Sequence, residues 1–273
     1  MWIDVGRINV GPQRIVCLTE EPTEILYALR EQRRIVGISG FTVRPPKARK
    51  EKPKVSAFTS AKIDEILKLE PDFVIGFSDI QAGIAQELIA AGVEVWISNH
   101  RSVRGIIEYI RRLGAIVGAE DFADRIIMLA AGNLQSIDLA AARYDRRPKV
   151  YFEEWDSPMI SGIQWVSELI GIAGGDDIFP ERATKSLARD RIVADPNEII
   201  ERAPDIIFGS WCGKRFRPEK VIAREGWSGI PAVQTGQVFE IKSPIILQPG
   251  LAALTDGISA IHRVIAAWQL RYG

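Results

Sequence analysis

The chain has 273 residues, 47% of them apolar, with 35 basic and 35 acidic side chains and therefore no formal net charge. That length and composition suit one large or two medium domains with proper cores, and the charge balance argues against nucleic acid as a main partner, because phosphate binding is driven by clustered Lys and Arg. No run approaches the ~18 apolar residues needed to span a bilayer. Residues 1–16 (MWIDVGRINVGPQRIV) hold neither an apolar core of signal-peptide length nor a small-residue cleavage site. As written, the protein reads as a soluble, unexported cytoplasmic monomer, or a periplasmic one if a leader has been removed.

Residues 14–18 (RIVCL) predict the first strand, with Cys17 as a buried thiol and no disulfide to Cys212. Thr19, Glu20 and Glu21 form a turn, and Pro22 opens a helix to about residue 30. Residues 35–38 are a second strand, followed by a long loop over 39–54. Its basic stretch, 44–54, is punctuated by Pro45, Pro46 and Pro53 and reads as a solvated loop. Ser60 is the expected N-cap of a helix that ends near Glu70. Strand 73–75, helix 81–91, strand 93–97 and helix 102–113 complete a first lobe.

Residues 119–144 contain no proline, and apolar residues recur at helical spacing (Ile126, Ile127, Ala130, Leu134, Ile137). They predict one long helix, ~36 Å for ~24 residues, bridging the lobe 1–118 to a second lobe 145–273. The second lobe repeats the plan: strand 149–152, a loop holding Ser161 and Gly162, helix 163–172, a capping box at Asp195-Pro196-Asn197-Glu198, strand 206–208, strand 238–241 and helix 252–270.

The stretch 65–76 (EILKLEPDFVIG) recurs as 198–209 (EIIERAPDIIFG), an offset of 205 − 72 = 133. The same offset carries Arg14 to Arg147 and Glu20-Glu21 to Glu153-Glu154. A period this long means two similar lobes rather than a solenoid. Strands read as continuous apolar runs alternating with helices, which implies a parallel sheet in each lobe. The fold class is α/β: two Rossmann-like lobes joined by one long helix, with a ligand cleft between them. Such sheets bind ligands beyond the carboxyl ends of their strands. Here those ends are 19–21, 39–46, 77–80, 98–100, 153–156, 210–214 and 242–248.

These loops carry Phe41, Phe77, Trp155 and Trp211, with Phe58 and Trp165 close by, and scattered polar groups: Thr42, Arg44, Thr59, Ser60, Lys214, Ser243 and Gln248. Flat apolar walls with a few polar points suit a large, planar, mostly neutral ligand. Phe58 and Trp165 are equally assignable to the cores of their own lobes. Trp211 is assigned to the ligand, since an indole just past a buried strand has no core left to fill. The pairs Glu20-Glu21 and Glu153-Glu154 are read as structural, their members pointing apart and one of each favoured by a helix N-terminus, with contacts to ligand amides as the alternative. His100 is read as a loop histidine bonded to backbone, with coordination of a ligand's metal as the alternative. There is no phosphate loop, GxGxxG, GxSxG or zinc signature, and no catalytic residue, metal site or cofactor is expected.

The segments RIVCLTEEPTEILYAL, VGISGF…PP and PKVSAFTSAKIDEILKLEPDFVIG, with MISG, PDIIFGSW and GIPAVQTGQVFEI, resemble the substrate-binding proteins of vitamin B12 and iron–siderophore ABC importers. EEW, SWCGK and ILQPG resemble the subset described as cobalamin-binding. The resemblance covers nearly the whole chain. It implies non-covalent binding of a corrinoid, cobalamin or cobinamide, between the lobes, by the substrate-binding component of an ABC-type uptake system or by a soluble corrinoid carrier. Matching contact positions are Phe58, Phe77 and the pair Met159-Ile160. Arg44 stands where the B12 binder carries a tyrosine. Gln248 stands where siderophore binders often carry arginine, which weighs against an anionic ferric siderophore. A siderophore or haem carrier is the alternative ligand class. A chelatase-like enzyme of corrinoid metabolism is the alternative outside binding proteins, and would need His100 to converge with Glu153 or Glu154. The resemblance also implies docking to an ABC permease through one acidic residue on each lobe, for which Glu87 and Glu219 are the candidates.

Overall fold

A computed structural model describes residues 11–273, and the chain forms two compact units. One comprises residues through His100 with Arg104–Leu129, the other Arg101–Val103 with Ala130–Gly273.

In the first unit the elements run β1 (Ile15–Cys17), α1 (Glu20–Ala28), β2 (Ile35–Ser39), α2 (Pro46–Glu51), β3 (Lys54–Ala57), β4 (Ser60–Ala61), α3 (Ile63–Lys68), β5 (Phe73–Phe77), α4 (Ala82–Ala90), β6 (Val95–Ser98) and α5 (Val103–Ile116). The sheet order is β4-β3-β2-β1-β5-β6, parallel except for the β3–β4 pair. Strands β1 and β5 are buried at every residue, as expected of central parallel strands covered on both faces. Helix α6 (Glu120–Ala141) follows, and the boundary between the units falls within it.

The second unit contains β7 (Lys149–Asp156), β8 (Met159–Ser161), α7 (Gln164–Ile172), β9 (Asp176–Asp177), α8 (Pro180–Ala183), α9 (Asn197–Arg202), β10 (Ile206–Gly209), α10 (Pro218–Ile222), α11 (Pro231–Gln234), β11 (Val238–Glu240), α12 (Ser243–Ile246) and α13 (Ile258–Tyr272). Its sheet order is β11-β10-β7-β8, with β9 pairing β7. Its core gathers Tyr151, Phe179, Ile207, Trp211, Phe216 and Trp227. Among the described residues no helix is long and apolar enough to cross a membrane.

The repeated stretch has the same local physics in both units. Each copy's helix ends at a left-handed residue just before the proline, Glu70 (φ 46) and Ala203 (φ 48). Each aspartate then caps the neighbouring first strand: Asp72 accepts from the backbone N–H of Gln13 and Arg14 at 2.7 and 2.8 Å, and Asp205 from that of Lys149 at 2.9 Å. The single offset of 133 does not extend to those first strands. Phe73 pairs Ile15, whereas Ile206, 133 residues later (206 − 73), pairs Val150, an offset of 150 − 15 = 135. Arg14 therefore corresponds to Lys149 and not to Arg147, and Glu20-Glu21 correspond to Trp155-Asp156 and not to Glu153-Glu154. A slip of two leaves every strand side chain on its proper face, so the hydrophobic pattern alone does not reveal it.

Several boundaries differ from the sequence reading. Helix α1 begins at Glu20, with Pro22 inside its first turn. The expected loop over 39–54 contains α2, because Pro46 occupies the first helical position, where proline is tolerated. Ser60 lies in β4 rather than capping α3, whose cap position is Lys62. Strand β7 continues through the polar 153–156 into an antiparallel hairpin with β8, where a loop was expected; polar residues end an apolar run but not a strand. The capping box expected at α9 does not form, since the cap position is Pro196. Asp195 accepts from the Asn197 N–H at 2.9 Å, while Glu198 is drawn to Arg182 instead. A π-helical turn, Ala253–Gly257, precedes α13 in the last predicted helix.

Candidate functional site

In each unit the strand order reverses beside a central strand, at β1/β5 in the first and at β7/β10 in the second. Open parallel sheets bind ligands at such switch points. The strand-end loops there are two candidate half-sites, each built from its own unit.

In the first unit, Phe41 is exposed, 52%, on a loop held by Arg49, which donates to the Gly40 and Thr42 carbonyls. Thr42 is buried, and Arg44 is half-buried with its Nε 2.7 Å from Glu24 Oε1. Phe58 is half-buried and Thr59 exposed. Phe77 is the last residue of β5 and buried, its ring edge-on to His100 with centroids 5.1 Å apart. Gln81, which sequence reasoning missed, joins two of these residues. Its Nε2 donates to the Phe58 carbonyl at 2.9 Å, and its Oε1 accepts from the Phe77 N–H at 3.0 Å. Gly76 makes room for this brace: a Cβ there would lie 2.3 Å from Gln81 Oε1. His100 Nδ1 lies 2.8 Å from Ser98 Oγ, and its ring stacks on Tyr109 at 4.4 Å.

Two carboxyls at this switch point are strongly perturbed. Glu21 is buried, and burial raises its pKa to about 8, against the lowering effect of the Thr19 hydroxyl that donates to it at 2.6 Å. Burial also raises Glu20 to about 7. Both lie in the first turn of α1 rather than in a turn before it, and burial disfavours the charged form that a helix N-terminus would favour. Behind them Cys17 is a buried thiol pushed up to about 12 by desolvation.

In the second unit, the pairing of β7 with β8 sets Trp155 opposite Ile160 and Asp156 opposite Met159, all four partly exposed. Lys214 joins them. Its ammonium is 4.4 Å from the Trp155 ring centroid and 4.9 Å from that of Trp211, and it pairs with Asp156. Trp211 itself corrects the expectation that no core awaited it. It is buried, 3% exposed, packs edge-on to Phe216 at 4.9 Å, and its Nε1 donates to Glu153 Oε1 at 3.0 Å. Trp165 resolves toward the core, buried with its Nε1 donating to the Ile246 carbonyl at 2.8 Å. That bond ties α7 to α12, which Ser243 opens; Ser243 and Gln248, two residues past the helix, are half-buried.

The second glutamate pair lies within a strand, not at a helix start, and its members do point apart. Glu153 is fully buried. Arg224 donates to both its oxygens, at 2.6 and 2.9 Å, and Tyr151 adds a hydroxyl at 3.1 Å. The carboxylate in turn raises the Arg224 pKa, overcoming the desolvation that opposes it. Glu154 pairs with Arg191, a buried guanidinium that also donates to the Ser161 carbonyl and so clasps the hairpin. Nothing in the sequence marks Arg224 or Arg191 as partners, since both lie far along the chain from the strand they hold. Among the described residues no group of three or more His, Cys, Asp or Glu is arranged to hold a metal ion.

Compared with known proteins, residues 15–245 match the sequence profile of the periplasmic binding protein family. A vitamin B12-binding protein of Vibrio campbellii is 24% identical over 254 residues, covering 91% of this chain and 88% of that one. An uncharacterized ABC transporter substrate-binding lipoprotein of Bacillus subtilis is 24% identical over 272 residues, 94% of this chain and 81% of that one. Among solved structures, the periplasmic vitamin B12 binding protein of Vibrio cholerae superposes with a TM-score of 0.74 at 20% identity, covering 95% of this chain and 99% of that one. A periplasmic heme-binding protein of Roseiflexus superposes with a TM-score of 0.77 at 23% identity, covering 93% and 100%. At these identities the structural likeness speaks for the fold: two sheets of mostly parallel strands with long helices.

Proposed function

We propose that this chain, which belongs to the periplasmic binding protein family, binds a corrinoid such as cobalamin without covalent change, as the substrate-binding component of an ABC-type uptake system. The division into lobes 1–118 and 145–273 with the helical segment 119–144 between them, and a ligand held by the strand-end loops of both lobes, is part of this proposal.

The observation that carries it is the distribution of chemistry on those loops. Partly or fully exposed aromatic and apolar surface stands at the strand ends, at Phe41 and Phe58 in one unit and at Trp155, Met159 and Ile160 in the other. The two carboxylates named for a chelatase-like reading are committed elsewhere, Glu153 to Arg224 and Glu154 to Arg191. A large ligand with a flat apolar body is served by such walls, whereas a chelatase needs an available acid–base pair. Vitamin B12-binding relatives at 24% and 23% identity, each aligned over most of both chains, support the same ligand class.

Titration with cyanocobalamin and with cobinamide, following tryptophan fluorescence, tests the reading. Trp155 stands partly exposed on the hairpin, so saturable quenching is expected with at least one of the two. A flat response to both, with saturable binding of haemin, transfers the assignment to the haem class. Docking to a permease is proposed through Glu87 on α4 and Glu219 on α10, both exposed.

A further inference from the structure

Beside the turn of the β7–β8 hairpin, the second unit holds a pocket of about 450 Å³. Met159, Ile192 and Pro196 give it accessible apolar walls, and Asp156 and Arg224 supply a carboxylate and a guanidinium. The hairpin makes this pocket continuous with the candidate half-site. Asp156 both lines the pocket and holds Lys214, and Met159 both pairs with Asp156 and accepts from the Val193 N–H at 2.8 Å. The pocket is firmly backed. Arg224 is fixed by its two bonds to Glu153 and lies 4.6 Å over the Trp227 ring. Trp227 is fully buried, and its indole N–H has no hydrogen-bond partner.

Size and lining together restrict the occupant. Pockets for small molecules run from roughly 300 to 1,000 Å³, and this one lies near the lower end. It has room for a bicyclic ring with a small polar appendage but not for a tetrapyrrole macrocycle. A flat aromatic ring suits the Met159, Ile192 and Pro196 walls, an edge acceptor suits Arg224, and a donor suits Asp156.

We propose that this pocket is a subsite for the pendant heteroaromatic base of a complete corrinoid, so that the protein discriminates complete corrinoids from base-free ones. The inference rests on the corrinoid reading above. The macrocycle stays on the strand-end rim near Trp155, and the base turns past the hairpin into the pocket.

Ala194 lies exposed on the pocket wall, so Ala194→Trp fills the pocket from outside the core, and Ala194→Ser is its control. Affinities for cobalamin and for cobinamide, which lacks the base, are measured for each protein. The wild type and the serine variant are expected to favour cobalamin by about tenfold or more. The tryptophan variant is expected to retain wild-type affinity for cobinamide and a wild-type melting temperature while losing the preference. In the wild type, the free benzimidazole nucleoside is expected to compete with cobalamin and not with cobinamide, a measurement that needs no variant to fold. A wild type without preference, a tryptophan variant that keeps it or weakens both ligands equally, or a nucleoside that fails to compete overturns the inference. A wild type that binds neither corrinoid overturns the functional reading itself, and the two failures are thereby told apart.

Discussion

Replacing Glu21 with glutamine isolates a proton that the folded chain holds and the unfolded chain releases. Glu21 is 1% exposed, and only one of its oxygens is engaged, by the Thr19 hydroxyl. Burial lifts its pKa from 4.5 to about 8. A carboxyl raised in this way contributes stability that is fully present below its unfolded pKa and is lost as pH rises through the folded one. Each pKa unit is worth about 1.4 kcal/mol, so between pH 5 and pH 8 the wild type should lose on the order of 4 kcal/mol through this group. Glu20, raised to about 7, acts in the same direction over the lower part of that window. The glutamine variant is neutral at every pH. It should be less stable than the wild type at pH 5, by about 1–3 kcal/mol for an amide left partly unpaired in the interior, and the deficit should shrink or reverse by pH 8.5. Urea unfolding at half-unit pH steps measures both curves. If the two run parallel across that range, Glu21 is ionised in the fold and the reasoning is wrong.

Two further substitutions test the packing beneath the second half-site. Glu153→Gln leaves the half-buried Arg224 without its counter-charge; loss of one partner of a buried pair typically costs about 3–5 kcal/mol, and thermal melting should show it together with a shift in tryptophan emission as the charge beside the Trp211 indole is removed. Gly209→Ala places a Cβ 1.8 Å from the Phe216 ring; overpacking of this kind costs about 1–3 kcal/mol, so a variant as stable as the wild type by urea titration contradicts the close approach.

The fold was legible where local chemistry and tertiary packing agree. Buried parallel strands written as unbroken apolar runs, and a proline that stops a helix just before an aspartate, announced two related units. The register between them was not legible, because a two-residue slip in a strand preserves the alternation of faces that pattern reading detects. The same limit explains β7. Glu153, Glu154, Trp155 and Asp156 look like the end of a buried strand, yet they extend it, with Arg224 and Arg191 neutralising the carboxylates from distant parts of the chain.

The candidate site was legible in outline and less so in its particulars. Following each apolar run to its last residue located the ends of β5, β6 and β10 but stopped short on β7, and whether an aromatic at such an end turns outward or inward depends on space that other segments leave. The repeated glycine decides this twice. Neither Gly76 nor Gly209 has a positive φ, so neither is required by backbone conformation. Each is instead the gap through which a later side chain reaches the strand end: the Gln81 amide in one unit, the Phe216 ring in the other. In the first unit that side chain anchors the backbone of Phe58 and Phe77; in the second it packs on Trp211 and holds the indole in the core, where its outer neighbour Lys214 spans to Trp155. The glycine that both copies share is thus where the two half-sites diverge. The repeat supplies an identical vacancy, filled in one unit by an amide that ties the Phe58 and Phe77 backbone and in the other by a ring that packs on the Trp211 indole.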